Sequence, residues 1–264
     1  MASSDEGNLG DLGELEPGDD ATAGNVGATA AWVPLALTLV EYPKVILNRS
    51  LLGDIFGLLL ALISLMPFAI LAGFITLVLF RRDLHTIAFL GGITINEIVN
   101  LLLKHTIQEA RPIRRDVLYS EYGMPSTHAQ FMWFFAAYMT LFVLIRLHQN
   151  SNSTVSERFW RVLIIAACIA LAELVTYSRI YLQYHSHSQV LCGAIIGIIL
   201  GIIWFTIVHL VLTSYFPVIV TWKLSEYLLL RDTTLIPNVL WFEYTNVRTE
   251  ARARSRKLVS MKSQ

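Results

Sequence analysis

The sequence predicts an all-α polytopic membrane bundle of five helices, with a sixth crossing left open. Three observations predict it. Of the 264 residues, 55% are hydrophobic and only 15% charged, a balance too apolar for an ordinary soluble domain. Several apolar runs reach the roughly 20 residues that a helix needs to cross the hydrocarbon, where every backbone hydrogen bond must close internally. The remaining polar residues gather in three clusters near the ends of those runs. Formal net charge is zero, so no polyelectrolyte partner, nucleic acid included, is implied.

The elements follow in order. Residues 1–40 hold seven Asp or Glu and no Lys or Arg. Such a stretch cannot bury enough apolar area to offset chain entropy and reads as a disordered acidic tail. It lacks the basic start and apolar core of a cleavable signal. Residues 55–80 contain no charge and form the first span, kinked at Pro67. Residues 84–103 form the second, carrying His85, Asn96, Glu97 and Asn100. Residues 129–145, 162–177 and 190–212 form the third, fourth and fifth. In the fifth, Gly193, Gly197 and Gly201 recur at a spacing of four, a small-residue ridge that lets another helix approach closely. Residues 215–230 read either as an interfacial segment or as a sixth span. The embedded domain thus covers 41–230 and a tail 231–264. Cys168 and Cys192 sit in apolar runs and read as packing residues rather than a disulfide.

Loop charge gives an orientation. The first two helices are joined by Arg81-Arg82-Asp83, the third and fourth by 146–161, and the tail carries Arg248, Arg252, Arg254, Arg256 and Lys257. With five crossings these share one face, and the positive-inside tendency makes it cytosolic. Loops 104–127 and 178–189 then lie on the exoplasmic side. Two sequons, at Asn48 and Asn152, fall on opposite sides in this scheme.

The chemistry concentrates on the exoplasmic side. Lys104 and Arg111-Pro112 close the second helix, Pro125-Ser126-Thr127-His128 opens the third, and Ser178-Arg179 precedes His185 and His187 at the start of the fifth. Arg offers phosphate a planar fork of donors and Lys a compact charge. The helix start after Ser126 adds backbone N–H groups and a favourable dipole. Phosphoryl transfer needs such preorganised cations, with imidazoles as nucleophile and proton donor. Each cluster alone has a plainer explanation: a helix stop, an ordinary N-cap, a snorkelling Arg. Their order, spacing and shared face favour a joint phosphate site.

Those residues resemble the three-part signature of the type 2 phosphatidic acid phosphatase superfamily: Lys-x6-Arg-Pro, Pro-Ser-x-His and Ser-Arg-x5-His. The likeness is strongest to the branch that acts on dolichyl diphosphate. It runs on through Glu41-Tyr42-Pro43, His85-Thr86-Ile87, Tyr122-Gly123-Met124, 130–135, Arg231-Asp232-Thr233 and Glu243-Tyr244, covering roughly 41–257. The resemblance implies a membrane bundle of that type, hydrolysing a polyisoprenoid lipid diphosphate in the endoplasmic reticulum, with the site facing the lumen. It implies His185 as the nucleophile that becomes phosphohistidine and His128 as general acid. Lys104, Arg111 and Arg179 become phosphate clamps, assisted by Ser126 and the Thr127 backbone. Ser178 matches the motif with a weaker physical role. No metal, cofactor or obligate protein partner is implied.

One position departs from the wider superfamily. Four residues after the nucleophile, where Asp usually holds the ring, this chain has Gln189. An amide oxygen there fixes the ring's tautomer without supplying a full charge, so Gln189 is expected to orient more than activate, unless Glu97 or Glu173, both expected to face the bundle interior, supplies a carboxylate. Asn96, Asn100 and Lys104 share one helical stripe, either as inter-helix contacts or as part of the site. His187 lies outside the signature. Two other readings stay open: a broader lipid phosphate phosphatase acting on phosphatidic acid, and a non-catalytic transporter or scramblase, against which His128 and His185 argue.

Overall fold

The computed structural model describes residues 55–112, 122–146, 155–234 and 239–262. The acidic tail and both sequons lie outside them.

The first apolar run folds as two helices, α1 (Ile55–Ile63) and α2 (Met66–Arg81). The break precedes Pro67, at Ser64–Leu65, where Ser64 Oγ donates to the Ala61 carbonyl at 2.6 Å. Pro67 occupies the first turn of α2, where a missing N–H costs nothing. Arg82 ends α2 in the left-handed region (φ 53°), and Asp83 then caps α3 (Leu84–Ile107) by accepting from Thr86 N at 3.3 Å. The third span is α4 (Thr127–Leu141), prolonged by a π-turn over Phe142–Arg146, and the fourth is α5 (Val155–Tyr181). The fifth is α6 (His187–Ile207), which continues through a second π-turn (Val208–Leu212) into α7 (Thr213–Val220). Two more helices follow, α8 (Lys223–Leu228) and α9 (Val239–Lys262).

Five stretches are long and apolar enough to cross a membrane: Phe56–Arg81, Leu84–Ile107, Thr127–Arg146, Arg158–Tyr181 and His187–Val220. Residues 215–230 form no sixth span, since α7 extends the fifth and α8 has only six residues. The spans outrun the apolar runs that predicted them. Lys104, Thr127, His128, Ser178 and Arg179 all sit within helical terminal turns. Polar side chains there do not stop the backbone from closing its own hydrogen bonds.

Helix α4 packs at the centre, and α6 reaches it along the glycine ridge. A Cβ on Gly193 would meet Ser126 O at 2.7 Å, one on Gly197 would overlap Gln130 O, and one on Gly201 would meet Phe134 O at 2.8 Å. The opposite edge of α6 presents Leu191, Ile195, Ile199 and Ile202 outward. Small side chains therefore face protein and large apolar ones face outward, as expected where lipid rather than water surrounds the bundle. The core below the site is aromatic: ring centroids of Phe89 and Phe74 are 4.5 Å apart, of Phe89 and Tyr138 4.6 Å, and of Tyr138 and Phe205 5.4 Å. Cys168 and Cys192 are free thiols.

At the far end of α3 from Lys104, residues 231–234 clasp the α2–α3 turn. Arg231 N donates to Arg82 O at 2.9 Å, and Arg231 O accepts from Leu84 N at 3.0 Å. Its guanidinium donates twice to Arg81 O, at 3.0 and 2.8 Å, and once to Glu243 on α9 at 2.9 Å. The tail that begins at 231 thus starts packed against the bundle.

Candidate active site

At the other end, the last turns of α3 and α5 and the first turns of α4 and α6 converge. The chain between α5 and α6 turns back sharply, with the N–H groups of Tyr184 and His185 both donating to Arg179 O, at 3.0 and 3.3 Å. That turn folds the Tyr184 ring under the Arg179 guanidinium, 4.2 Å from its carbon to the ring centroid. Arg111 Nη1 donates to Tyr184 O at 3.5 Å, which tethers the loop after α3 to the same turn. Two predicted clamps are thereby held by one residue, Tyr184.

Lys104 is positioned by a directed chain of hydrogen bonds running into the bundle. Its Nζ donates to Thr127 Oγ1 at 2.7 Å, and that hydroxyl donates to Asn100 Oδ1 at 2.9 Å. Asn100 Nδ2 donates to Gln130 Oε1 at 2.7 Å, and Gln130 Nε2 donates to the Asn96 backbone and side-chain oxygens, both at 3.0 Å. The ammonium has no acceptor lone pair, so it sets the sense of every later bond. The Asn96–Asn100–Lys104 stripe therefore joins α3 to α4 and, through the same chain, orients the Lys104 ammonium. Thr127 takes part through its side chain as well as its place at the helix start.

Ser126 precedes α4 in the N-cap position without making a side-chain cap bond. Its Oγ is buried and has no hydrogen-bond partner among the described residues, while its N–H donates to Gln189 O at 3.1 Å. The first backbone bond of α4 runs from Gln130 N to Ser126 O at 2.9 Å. The N–H groups of Thr127, His128 and Ala129 precede it, at the positive end of the helix dipole. His128 Nε2 is likewise buried without a partner, and its ring meets Phe68 edge-on at 5.7 Å. His128 lies within electrostatic reach of Arg179, His185, Lys104 and Arg111. Ser126 Oγ, which an ordinary cap would have satisfied, and His128 Nε2 are thus left available.

His185, only 4% exposed, directs Nδ1 at two oxygens: Gly123 O at 2.9 Å and Gln189 Oε1 at 3.3 Å. A backbone carbonyl only accepts, so Nδ1 carries the proton and Nε2 keeps its lone pair. Burial, then Arg179, Arg111 and Lys104, hold the imidazole well below its ordinary 6.5, while the Gln189 bond pushes it back up. The ring is therefore neutral and nucleophilic near neutral pH.

Gln189 is placed by its helix. Ser186 caps α6 by accepting from Gln189 N at 3.3 Å, and Gln189 Oε1 accepts from Ser186 N at 3.3 Å, a complete capping box. Its Nε2 donates to Ala110 O at 2.8 Å and Glu109 Oε1 at 3.0 Å. Gly123 completes the enclosure, its N–H donating to Glu109 O at 2.6 Å. A Cβ there would lie 2.6 Å from Gln189 Oε1, so any side chain on this strap would displace the hydrogen-bonded amide.

The structure corrects one expectation about carboxylates. Glu173 is exposed on α5 rather than facing the interior. Among the described residues neither Glu97 nor Glu173 forms a hydrogen bond or ion pair with His185 or Gln189, and the carboxylate that reaches the amide is Glu109. Helical phase explains Glu173: Ala172 and Val175 take the buried side of α5, which turns 173 outward. His187, the first residue of α6, is exposed, and Ser178 Oγ is occupied by the Val175 carbonyl at 2.6 Å. Sequence reasoning did not find Glu109, Gly123 or Tyr184 as site residues. Only Gly123 and Tyr122 carried a local signal, as part of the family-like Tyr-Gly-Met string.

The fold is that of the PAP2 superfamily, whose family model matches residues 85–212, and the chain belongs to it. A Homo sapiens protein named Dolichyldiphosphatase 1 is 50% identical over 240 residues, covering 90% of this chain and 98% of its own. A Dictyostelium discoideum protein of the same name is 40% identical over 219 residues, 82% and 92% of the two chains. An Arabidopsis thaliana protein named Lipid phosphate phosphatase gamma is 39% identical over 203 residues, 74% and 86% of the two chains. No solved structure matches.

Proposed function

We propose that this chain is a multi-pass membrane hydrolase that cleaves dolichyl diphosphate to dolichyl phosphate and phosphate. The observation that carries the reading is His185, whose Nδ1 is committed to two acceptors and whose Nε2 is free to react, set among Lys104, Arg111, Arg179 and His128. The names of relatives similar over nearly the whole chain support the substrate.

The terminal phosphate enters the cation cluster, with Arg111, Arg179 and Lys104 taking its equatorial oxygens and Ser126 and the first N–H groups of α4 adding donors. His185 Nε2 forms a bond to phosphorus as the bridging P–O bond breaks. His128 protonates the departing dolichyl phosphate. Water then attacks the phosphohistidine, His128 takes its proton, and phosphate leaves with the His185 lone pair restored.

In this reading the membrane-embedded domain runs from 41 to 230, its described part beginning at residue 55, and the tail from 231 lies in the cytosol. The site faces the lumen of the endoplasmic reticulum, where the spent lipid carrier of protein N-glycosylation is recycled. An odd number of spans and the Arg-rich face at the α2–α3 turn and α9 support that orientation. Glycan attached at Asn152 would overturn it.

The test is phosphate release by purified protein from dolichyl diphosphate and from phosphatidic acid, with chelator present, alongside His185→Ala. Release from the diphosphate in strong preference, abolished by the substitution, is expected. Equal or greater release from phosphatidic acid would transfer the assignment to the broader phosphatase named in the Arabidopsis relative.

A further inference from the structure

The amide of Gln189 can sit in either of two orientations, and only one of them supports catalysis. With its oxygen toward His185 it accepts from Nδ1–H and leaves Nε2 bare. With its nitrogen there, it would demand a lone pair from Nδ1, oppose the Gly123 carbonyl that needs the proton on that atom, and favour the proton on Nε2, the atom that must attack. What chooses between them is the far end of the amide. Glu109 Oε1 lies 3.0 Å from Gln189 Nε2, and Ala110 O lies 2.8 Å from the same atom. Both only accept, so the –NH2 group must face them. The near end agrees, because Oε1 also takes the Ser186 N–H at 3.3 Å.

We propose that Glu109 is a positioning residue: its carboxylate, together with Ala110 O and the Ser186 N–H, locks the Gln189 amide so that the amide oxygen joins Gly123 O in holding His185 in the reactive tautomer. The inference rests on His185 being the nucleophile. It explains how this site works with an amide where a carboxylate would do the job directly. The negative charge is retained but stands one residue further out, bonded through Gln189 rather than to the ring. Glu109 is placed for this by its own backbone, since its carbonyl accepts from Gly123 N at 2.6 Å and the adjacent Ala110 pairs with Tyr122. The carboxylate, the glycine strap and the amide thus form one closed assembly behind the imidazole. A carboxylate at position 189 would face Glu109 across the same gap, so an amide suits this position beside a Glu.

The experiment is a double-mutant cycle on purified full-length protein, measuring kcat and KM for dolichyl diphosphate in wild type, Glu109→Ala, Gln189→Ala and the double variant. Glu109→Gln and His185→Ala run alongside. Glu109→Ala is expected to lower kcat about ten- to a hundredfold, the range one charge-assisted hydrogen bond carries, with KM little changed. It should cost almost nothing further once Gln189 is Ala. Glu109→Gln, which keeps an oxygen acceptor, should recover most of the loss. Ring ¹⁵N shifts of His185 supply a readout that altered packing alone would not move: an Nδ1–H shared between Gly123 O and the Gln189 amide oxygen in wild type, and in Glu109→Ala an Nδ1 resonance displaced toward that of Gln189→Ala, where Gly123 O alone accepts. Additive losses in the cycle, unchanged kcat in Glu109→Ala, or an unaltered Nδ1 resonance would overturn the proposal while leaving the hydrolase reading intact. Phosphate release surviving in His185→Ala would instead remove the reading beneath it.

Discussion

Alanine scanning of the glycines should give a graded series, because each meets a different surface. Gly193→Ala is the most informative. The added Cβ would lie 2.7 Å from Ser126 O, 3.2 Å from Ser126 N and 3.4 Å from Gln130 N. All three are backbone atoms, two of them joined by the first hydrogen bond of α4, so no side chain can swing aside. Ordinary contact begins near 3.4 Å, and α4 must therefore retreat from α6 by about 0.7 Å. Overpacking of this kind costs about 1–3 kcal/mol. The retreat also carries Ser126, Thr127 and His128 away from His185 and stretches the bond from Ser126 N to Gln189 O. Misplacement of a reacting group by about 1 Å can cost on the order of a hundredfold in rate, so about tenfold in kcat is expected here. Gly197→Ala, which drives a methyl into Gln130 O, should be more damaging to stability. Gly73→Ala meets nothing within 4 Å and Gly91→Ala only Trp204 Cζ2 at 3.8 Å; both should be neutral or gain up to about 1 kcal/mol. The assay is the thermal-inactivation midpoint in detergent together with phosphate release. Gly193→Ala and Gly197→Ala variants as stable and active as Gly73→Ala would refute the close approach of α4 and α6.

Three further outcomes follow from other parts of the bundle. Asn100→Leu leaves the Gln130 oxygen and the Thr127 hydroxyl without their partners in the buried chain, so stability should fall by about 1–3 kcal/mol, and KM should rise as Lys104 loses its anchor; steady-state kinetics and thermal inactivation check this. Because folded His185 titrates well below 6.5, the unfolded chain takes up the extra proton first. The sign is then fixed: this group costs no stability above pH 6.5 and an increasing amount below it, so an inactivation midpoint followed from pH 7.5 to 5 should fall less in His185→Phe than in wild type. In kcat/KM the same shift places the acid limb due to His185 below pH 6.5, and Gln189→Ala, which removes the one contribution raising it, should move that limb lower still. Arg231→Ala breaks the clasp at the α2–α3 turn, where the guanidinium is half exposed, and should cost about 1 kcal/mol or less with kcat and KM unchanged, since it lies at the opposite end of α3 from Lys104.

The parts of this molecule that were legible in the sequence are those written in local pattern. Apolar runs gave the five spans, because crossing length is set by the bilayer and not by neighbours. The four-residue glycine spacing gave the face of α6 that meets another helix, though not that α4 is the partner. The three clusters pointed to the residues that the structure brings together, Lys104, Arg111, His128, Arg179 and His185, since each motif is short and its chemistry belongs to its residue types. What escaped were relations between distant segments. Gln189 and Glu109 are 80 positions apart, and nothing in the spacing of either points to the other. Glu97 and Glu173 drew attention because a carboxylate inside an apolar run is conspicuous, whereas Glu109, in a polar loop, looked unremarkable.

The contrast has a physical source. A charge within a span must justify its desolvation, so its presence is visible from composition alone, but whether it faces protein depends on helical phase, and for Glu173 the phase turns it outward. A charge at a helix end carries no such cost and gains its role only when the loops close. Here closure depends on Gly123, whose missing side chain lets the strap cross the Gln189 amide while its carbonyl reaches the imidazole. Lys104, Thr127, His128 and Arg179 therefore lie on helical ends that bilayer-scale patterning fixes, whereas the tautomer of His185 is set by a loop assembly that patterning cannot see. A substitution in that loop should alter turnover while leaving the bundle folded. One on the glycine ridge should alter both.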